Sequence, residues 1–241
     1  MAKVIKKKNE LLEKRNRAII LYFSGYAACL VFGALGIELS FAGVPGWVCL
    51  LLGVLSLAGA VMIHCTRDNV GILKAGVTGE QNAVNMVQKL LPDNYYCVTN
   101  VQVQYENRHN ELDMVVVGPT GIYIVEVKNV SGRICGSYTD KQLYQDKGKR
   151  SKEMDNPVYQ VKMHADILSR YLKANGVRTW VQGVVLFVNP RATLALTDVP
   201  ENGIPVFAVS AGGQEAVRKY ITYPVSVPMK EQEIQKVITL L

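Results

Sequence analysis

No two cysteines stand close enough to form a CxxC pair: Cys29, Cys49, Cys65, Cys97 and Cys135 are odd in number and scattered. That excludes a readable disulfide framework or cysteine zinc site and leaves packing in a reducing compartment as their role. Positive charge is also scarce once the first residues are set aside. Of the formal +7, residues 1–17 carry +5, because Lys3, Lys6, Lys7, Lys8, Lys14, Arg15 and Arg17 face only Glu10 and Glu13. The remaining +2 is too little for composition alone to mark a nucleic-acid-binding face. Charge of either sign is missing from residues 18–37, and after Glu38 none follows until His64 and Arg67.

What fills those uncharged stretches is apolar. Residues 18–37 and 46–63 are runs of twenty and eighteen, each close to the roughly 20 residues a spanning helix needs. Gly43 and Pro45 lie in the short link between them. The pattern predicts a basic tail over 1–17, a transmembrane helical hairpin over 18–65 and a connector over 66–78. A signal peptide also begins with basic residues and an apolar run, but here the first run is longer than the usual h-region and a second follows at once. Basic residues precede the first span and follow the second (Arg67, Lys74), with none in the link. The positive-inside rule then places both termini and the soluble domain on the cytoplasmic side of a cell membrane, as a multi-pass protein. Trp47 falls at the far interface. Gly33, Gly36, Gly53 and Gly59 are small enough to let the helices, or a second copy in a homo-oligomer, approach closely.

Residues 79–241 alternate between the two periodicities. Ala83, Val84, Val87, Leu90 and Leu91 keep helical spacing until Pro92, with Glu80 in the first turn, where an acid suits the helix dipole. Strands are predicted over 95–103, around 133–135, over 181–188 and over 204–209, with 105–110 a loop. Asn156-Pro157 reads as an N-cap and first-turn proline for a helix running to Asn175-Gly176. Further helices are predicted over 213–222 and 229–240. The order describes an α/β domain with a mixed sheet.

The centre of that domain is 112–117, the turn Gly118-Pro119-Thr120-Gly121, and 122–128. Two β-rich runs around such a turn form a hairpin. Pairing Val117 with Ile122 sets Asp113 opposite Glu126, on one face, with Cβ atoms roughly 5 Å apart. Alternation turns Lys128 the same way as Glu126. Clustered carboxylates on a half-buried sheet repel and lose hydration, and a divalent cation with oxygen ligands resolves the conflict. Mg²⁺ suits one or two carboxylates plus phosphate and water, and Glu80 is a third acid able to lean in. A solvated ion pair is the bland alternative. Between 141 and 152, Lys141, Lys147, Lys149, Arg150 and Lys152 are interleaved with Tyr138 and Tyr144, a composition that suits phosphates and bases or simply a charged loop. Gln160 and His164 share one helix face.

Taken together, Gly79-Glu80, Glu111-Leu112-Asp113 with Val115-Val116-Val117, Gly121-Ile122-Tyr123, Val125-Glu126-Val127-Lys128-Asn129, Gly132, and Asn156-Pro157 with Gln160 resemble the nuclease-related domain family, NERD, across residues 76–190. The resemblance implies a branch of the PD-(D/E)XK nuclease superfamily. Its fold would be a restriction-endonuclease-like mixed sheet flanked by helices, here preceded by two transmembrane helices. It further implies Mg²⁺ or Mn²⁺ held by Asp113 and Glu126, with the Val127 carbonyl and Glu80 as further ligands, Lys128 as the catalytic lysine and Gln160 as the helix glutamine. The histidine that often follows the hairpin aspartate in that family is Met114 here. The expectation is a membrane-anchored nuclease acting on nucleic acid, in the first place DNA, through Lys147, Lys149, Arg150 and Lys152. The alternative is a nuclease-fold module that binds nucleic acid or a protein partner without cleaving.

Overall fold

The computed structural model describes every residue except Asn107 and Lys149. It divides into two units, Asn9–Val77 and the combination of Met1–Lys8 with Thr78–Leu241.

The first unit is helical. Helix α1 (Glu10–Phe41) starts at Asn9, whose side chain accepts the Leu12 N–H, and α2 (Gly46–Leu90) follows after a short turn. Both are long and apolar enough to cross a membrane, and only 6% of the most apolar window of each is buried. Apolar surface exposed on that scale needs lipid or a partner to cover it. The helices pack antiparallel through small residues. A Cβ on Gly59 would lie 2.7 Å from the Gly25 carbonyl oxygen and 2.8 Å from the Cys29 nitrogen, while one on Gly53 meets nothing within 4 Å. The seam therefore runs through Gly25, Gly33, Gly36 and Gly59, and Gly53 takes no part in the contact between the two helices. Gly59→Leu is expected to push the backbones apart and cost about 1–3 kcal/mol. Thermal loss of helical circular dichroism in detergent measures this, with Gly53→Leu as the unaffected control.

The expected connector over 66–78 is helical, because α2 continues without a break to Leu90. Extending an existing helix costs less than nucleating another, even through Gly71, Gly76 and Gly79. Glu80 accordingly sits in mid-helix, and the first-turn dipole role expected for it does not apply.

In the second unit the first residues are no tail: β1 (Lys3–Lys6) lies parallel to β2 (Tyr96–Tyr105), and Ala2 is buried. A hairpin of β3 (Arg108–Gly118) and β4 (Gly121–Lys128) follows. Then come β5 (Gly132–Ser137), β6 (Gln142–Asp146), β7 (Ser151–Asp155) and helix α3 (Pro157–Ala174). The chain ends with β8 (Val181–Phe187), β9 (Ala192–Thr197), β10 (Val206–Ala208), α4 (Gly213–Ile221) and α5 (Glu231–Leu240). The main sheet has the order β1-β2-β3-β4-β8-β10, and a second sheet has the order β7-β6-β5-β9. The mixed α/β architecture is the expected one. The second sheet is not: the presumed charged loop over 141–152 contributes β6 and β7, and β9 was not foreseen, although Ala192, Leu194 and Leu196 alternate into the core.

Two apolar layers sandwich the main sheet. Ile122, Ile124, Val115 and Val117 pack under Ile167, Leu168 and Leu172 of α3 and Val237 of α5. Met114, Val116, Tyr123 and Val125 pack under Ala83, Val84 and Val87 of α2 and Val217 of α4. Gly183 on β8 lets α3 come close, since a Cβ there would overlap Val161. That approach brings α3 down over the end of β4.

Candidate active site

The expected register holds. Val117 pairs with Ile122, and the ladder continues to Met114 opposite Val125. One step further would set Asp113 against Glu126, but there the side chain takes over from the backbone: Asp113 Oδ2 accepts the Val127 N–H at 2.8 Å. On the other flank, pairing with β2 jumps from Thr99 with Met114 to Val101 with Leu112, skipping Asn100, whose φ is +54°. Val98 and Val101 lie in one apolar layer, as do Leu112 and Val115. Residues three apart share a face only if the two-residue alternation slips, as at a bulge. The slip frees Asp113 to reach across to β4. Sequence reading missed Asn100; its signal was an Asn, which tolerates positive φ, inside a β-rich run.

Glu126 and Lys128 point to the same side, as alternation requires. Lys128 Nζ donates to Glu126 Oε1 at 2.7 Å and to Gln160 Oε1 at 3.0 Å. The N-cap Asn156, whose side chain accepts the Val158 N–H, starts α3 where expected and so places Gln160 over Lys128. One turn further, His164 Nδ1 lies 3.6 Å from Glu126 Oε2. Glu80 lies close enough to Glu126 to raise its pKa, and Val127 stands between Glu126 and Lys128 in β4. Among the described residues no group of three or more His, Cys, Asp and Glu side chains is arranged to hold a metal. Asp113, Glu126 and Glu80 thus form no closed cage, although Mg²⁺ asks for only one or two carboxylates and keeps several waters.

Burial, with the neighbouring Glu126 charge adding to it, pushes the Asp113 carboxyl up to about 7, against the Val127 N–H and Lys128. Burial also raises Glu126 in spite of Lys128. His164 is lowered to about 4 by burial and by the Lys128 charge. The signs oppose. A raised Asp113 stabilises the metal-free fold fully below about pH 4, and that contribution is lost as pH rises toward 7. A lowered His164 contributes fully above about pH 6.5 and is lost as pH falls toward 4. Asp113→Asn, which can still accept the Val127 N–H, is expected to stabilise the metal-free protein by roughly 1–3 kcal/mol at pH 8 and to change little at pH 4. Urea unfolding in EDTA at both pH values measures this; equal midpoints at pH 8 would remove the strain argument.

The described basic residues Lys147, Arg150 and Lys152 stand on β7 and at the β6–β7 turn of the second sheet, all exposed, while Lys149 lies outside the described residues. Tyr138 is buried, its hydroxyl donating to the Ile204 carbonyl and accepting the Ile204 N–H, so it offers no ring for stacking. Tyr144 is exposed but stands opposite Glu153 rather than a lysine. Of Tyr138 and Tyr144, Tyr144 alone keeps an exposed ring beside a cation, lining a shallow pocket with Lys141.

An uncharacterized protein of Bacillus anthracis is 33% identical to the chain over 90 residues, which is 37% of this chain and 42% of that protein. The chain thus spans less than half the length of this relative. No solved structure matches. The model of the nuclease-related domain family, NERD, matches residues 75–188, a range that takes in Glu80, Asp113, Glu126, Lys128, Gln160 and His164. Residues 75–188 are thus similar to the nuclease-related domain of the NERD family.

Proposed function

We propose that this chain is a membrane-anchored, metal-dependent nuclease that hydrolyses phosphodiester bonds of DNA on the cytoplasmic side. The observation that carries this reading is the gathering of Asp113, Glu126, Lys128 and Gln160 at one end of the central hairpin, with both carboxyls held toward their protonated forms by burial. Lys128 sets a single positive charge against this pair, and the oxygen-rich donor set suits Mg²⁺ or Mn²⁺ as a further one. Asp113 and Glu126 would hold the ion, with the Val127 carbonyl and Glu80 as further ligands. A cation there would lower the pKa of a bound water and neutralise the scissile phosphate. Lys128, fixed between Glu126 and Gln160, orients the attacking water and stabilises charge on the phosphate. Gln160 holds the ammonium through its Oε1. Lys147, Lys149, Arg150 and Lys152 contact the phosphate backbone.

The anchoring rests on chain connectivity. The chain leaves the α/β unit at Lys8 and re-enters it at Thr78, with two apolar helices between. Two crossings return it to the side it left, and the basic residues at both ends favour the cytoplasm. A second reading, a non-cleaving module that binds nucleic acid or a protein partner at the membrane, is favoured by the mere +2 carried outside residues 1–17.

The test uses the full chain in detergent, because a fragment beginning after the hairpin would lack β1. Plasmid, linear duplex, single-stranded DNA and RNA are incubated with Mg²⁺, Mn²⁺ or EDTA, beside Asp113→Ala. Cleavage that needs the metal and disappears in the variant supports the enzyme and identifies its substrate. Binding without cleavage in either protein favours the module.

A further inference from the structure

We propose that His164 is a positioning residue for Glu126: it backs the carboxylate from the sealed side of the site and so presents the other oxygen to the cation. The inference rests on the nuclease reading above. Glu126 is 1% exposed, and its two oxygens have different surroundings. Oε1 meets Lys128, whose side chain keeps 24% of its surface in solvent. Oε2 is shut away from solvent without a hydrogen-bond partner, and so is Nδ1 of His164, which faces it across 3.6 Å. Two buried polar atoms rarely stay unpaired while facing each other. A small rotation of either side chain closes the gap to a hydrogen bond in which Nδ1–H donates to Oε2.

The enclosure also decides against His164 as a ligand. Oε2 faces a His164 side chain that is 5% exposed, whereas Oε1 adjoins Lys128, whose side chain is 24% exposed, so a hydrated divalent ion approaches on the side of Oε1 and Lys128. The lack of any three-residue His, Cys, Asp and Glu group among the described residues agrees. Ligating carboxylates are commonly held by an outer partner whose loss weakens metal binding. Gln160 and His164, one turn apart on α3, divide that work: Gln160 holds Lys128 and His164 holds Glu126.

The experiment is Mn²⁺ binding to the full chain in detergent, followed by electron paramagnetic resonance. His164→Phe, which fills the space without a donor, is expected to weaken Mn²⁺ about tenfold or more. His164→Asn, whose amide can donate from near the Nδ1 position, is expected to recover most of that loss. Protein grown with ¹⁵N-histidine is expected to show no ¹⁵N coupling to the bound Mn²⁺. Wild-type affinity in a folded His164→Phe, or failure of His164→Asn to recover binding, would reduce His164 to packing and overturn the proposal. A ¹⁵N coupling would make it a ligand and overturn it equally. Should His164→Phe fail to fold by circular dichroism, His164→Leu takes its place in the comparison. If the wild-type chain binds no Mn²⁺, the metal reading itself fails, before any variant is compared.

Discussion

Lys128→Met is expected to lower metal-dependent cleavage by at least about 10³-fold, which corresponds to about 4 kcal/mol of transition-state stabilisation. Methionine keeps much of the lysine stem but leaves Glu126 Oε1 and Gln160 Oε1 without the ammonium that joins them at 2.7 and 3.0 Å. Removing a positive charge beside the carboxylates favours a cation there, so Mn²⁺ affinity is expected to hold or rise while the single-turnover rate collapses. That split identifies Lys128 as acting on the reacting groups rather than on the fold. Lys128→Arg is no conservative control, because a planar guanidinium cannot occupy the position of a compact ammonium between two oxygens. Cleavage at the wild-type rate by Lys128→Met, with the metal still required, would place the chemistry elsewhere.

Asn156→Ala is expected to destabilise the protein by about 3 kcal/mol or more. Asn156 is 2% exposed and serves three groups at once. Its Oδ1 accepts the Val158 N–H at 3.0 Å, and its Nδ2 donates to the carbonyls of Tyr138 at 3.0 Å and Asp140 at 2.8 Å. Losing the cap costs about 1 kcal/mol, the buried Tyr138 carbonyl left unpaired adds about 1–3 kcal/mol, and the part-buried Asp140 carbonyl adds less. The damage also reaches the site, because the residue ties the turn after β5 to the start of the helix that bears Gln160 and His164. Asn156→Asp keeps the cap acceptor but sets a carboxylate against two carbonyl oxygens, so it is expected to recover little. Thermal unfolding of the three proteins checks the ranking; an Asn156→Asp protein as stable as wild type would show that the cap alone matters.

The parts legible in the sequence were those that local chemistry dictates. A four-residue turn and a two-residue side-chain period fixed the hairpin register, and with it the faces of Glu126 and Lys128. Asn156-Pro157 fixed where α3 begins, and uncharged runs of twenty and eighteen residues marked two helices long and apolar enough to cross a membrane. Beyond local pattern, the reading failed in particular places. The basic residues between 141 and 152 hid the strands β6 and β7, and the connector expected over 66–78 is helical because nothing local says that a helix already in progress will continue.

What the residues determined by themselves was therefore the periodicity of each segment, the hairpin pairing and the identity of the charged groups near its open end. What only the tertiary structure decided was which distant segments meet: β1 beside a strand ninety residues later, His164 against Glu126, and the slip at Asn100 that lets Asp113 reach the Val127 amide. The physical reason is that turn geometry and side-chain period act over a few residues, whereas contacts between remote segments are chosen by the packing of the whole core. That packing also removes water from the carboxylates and so shifts their affinity for protons.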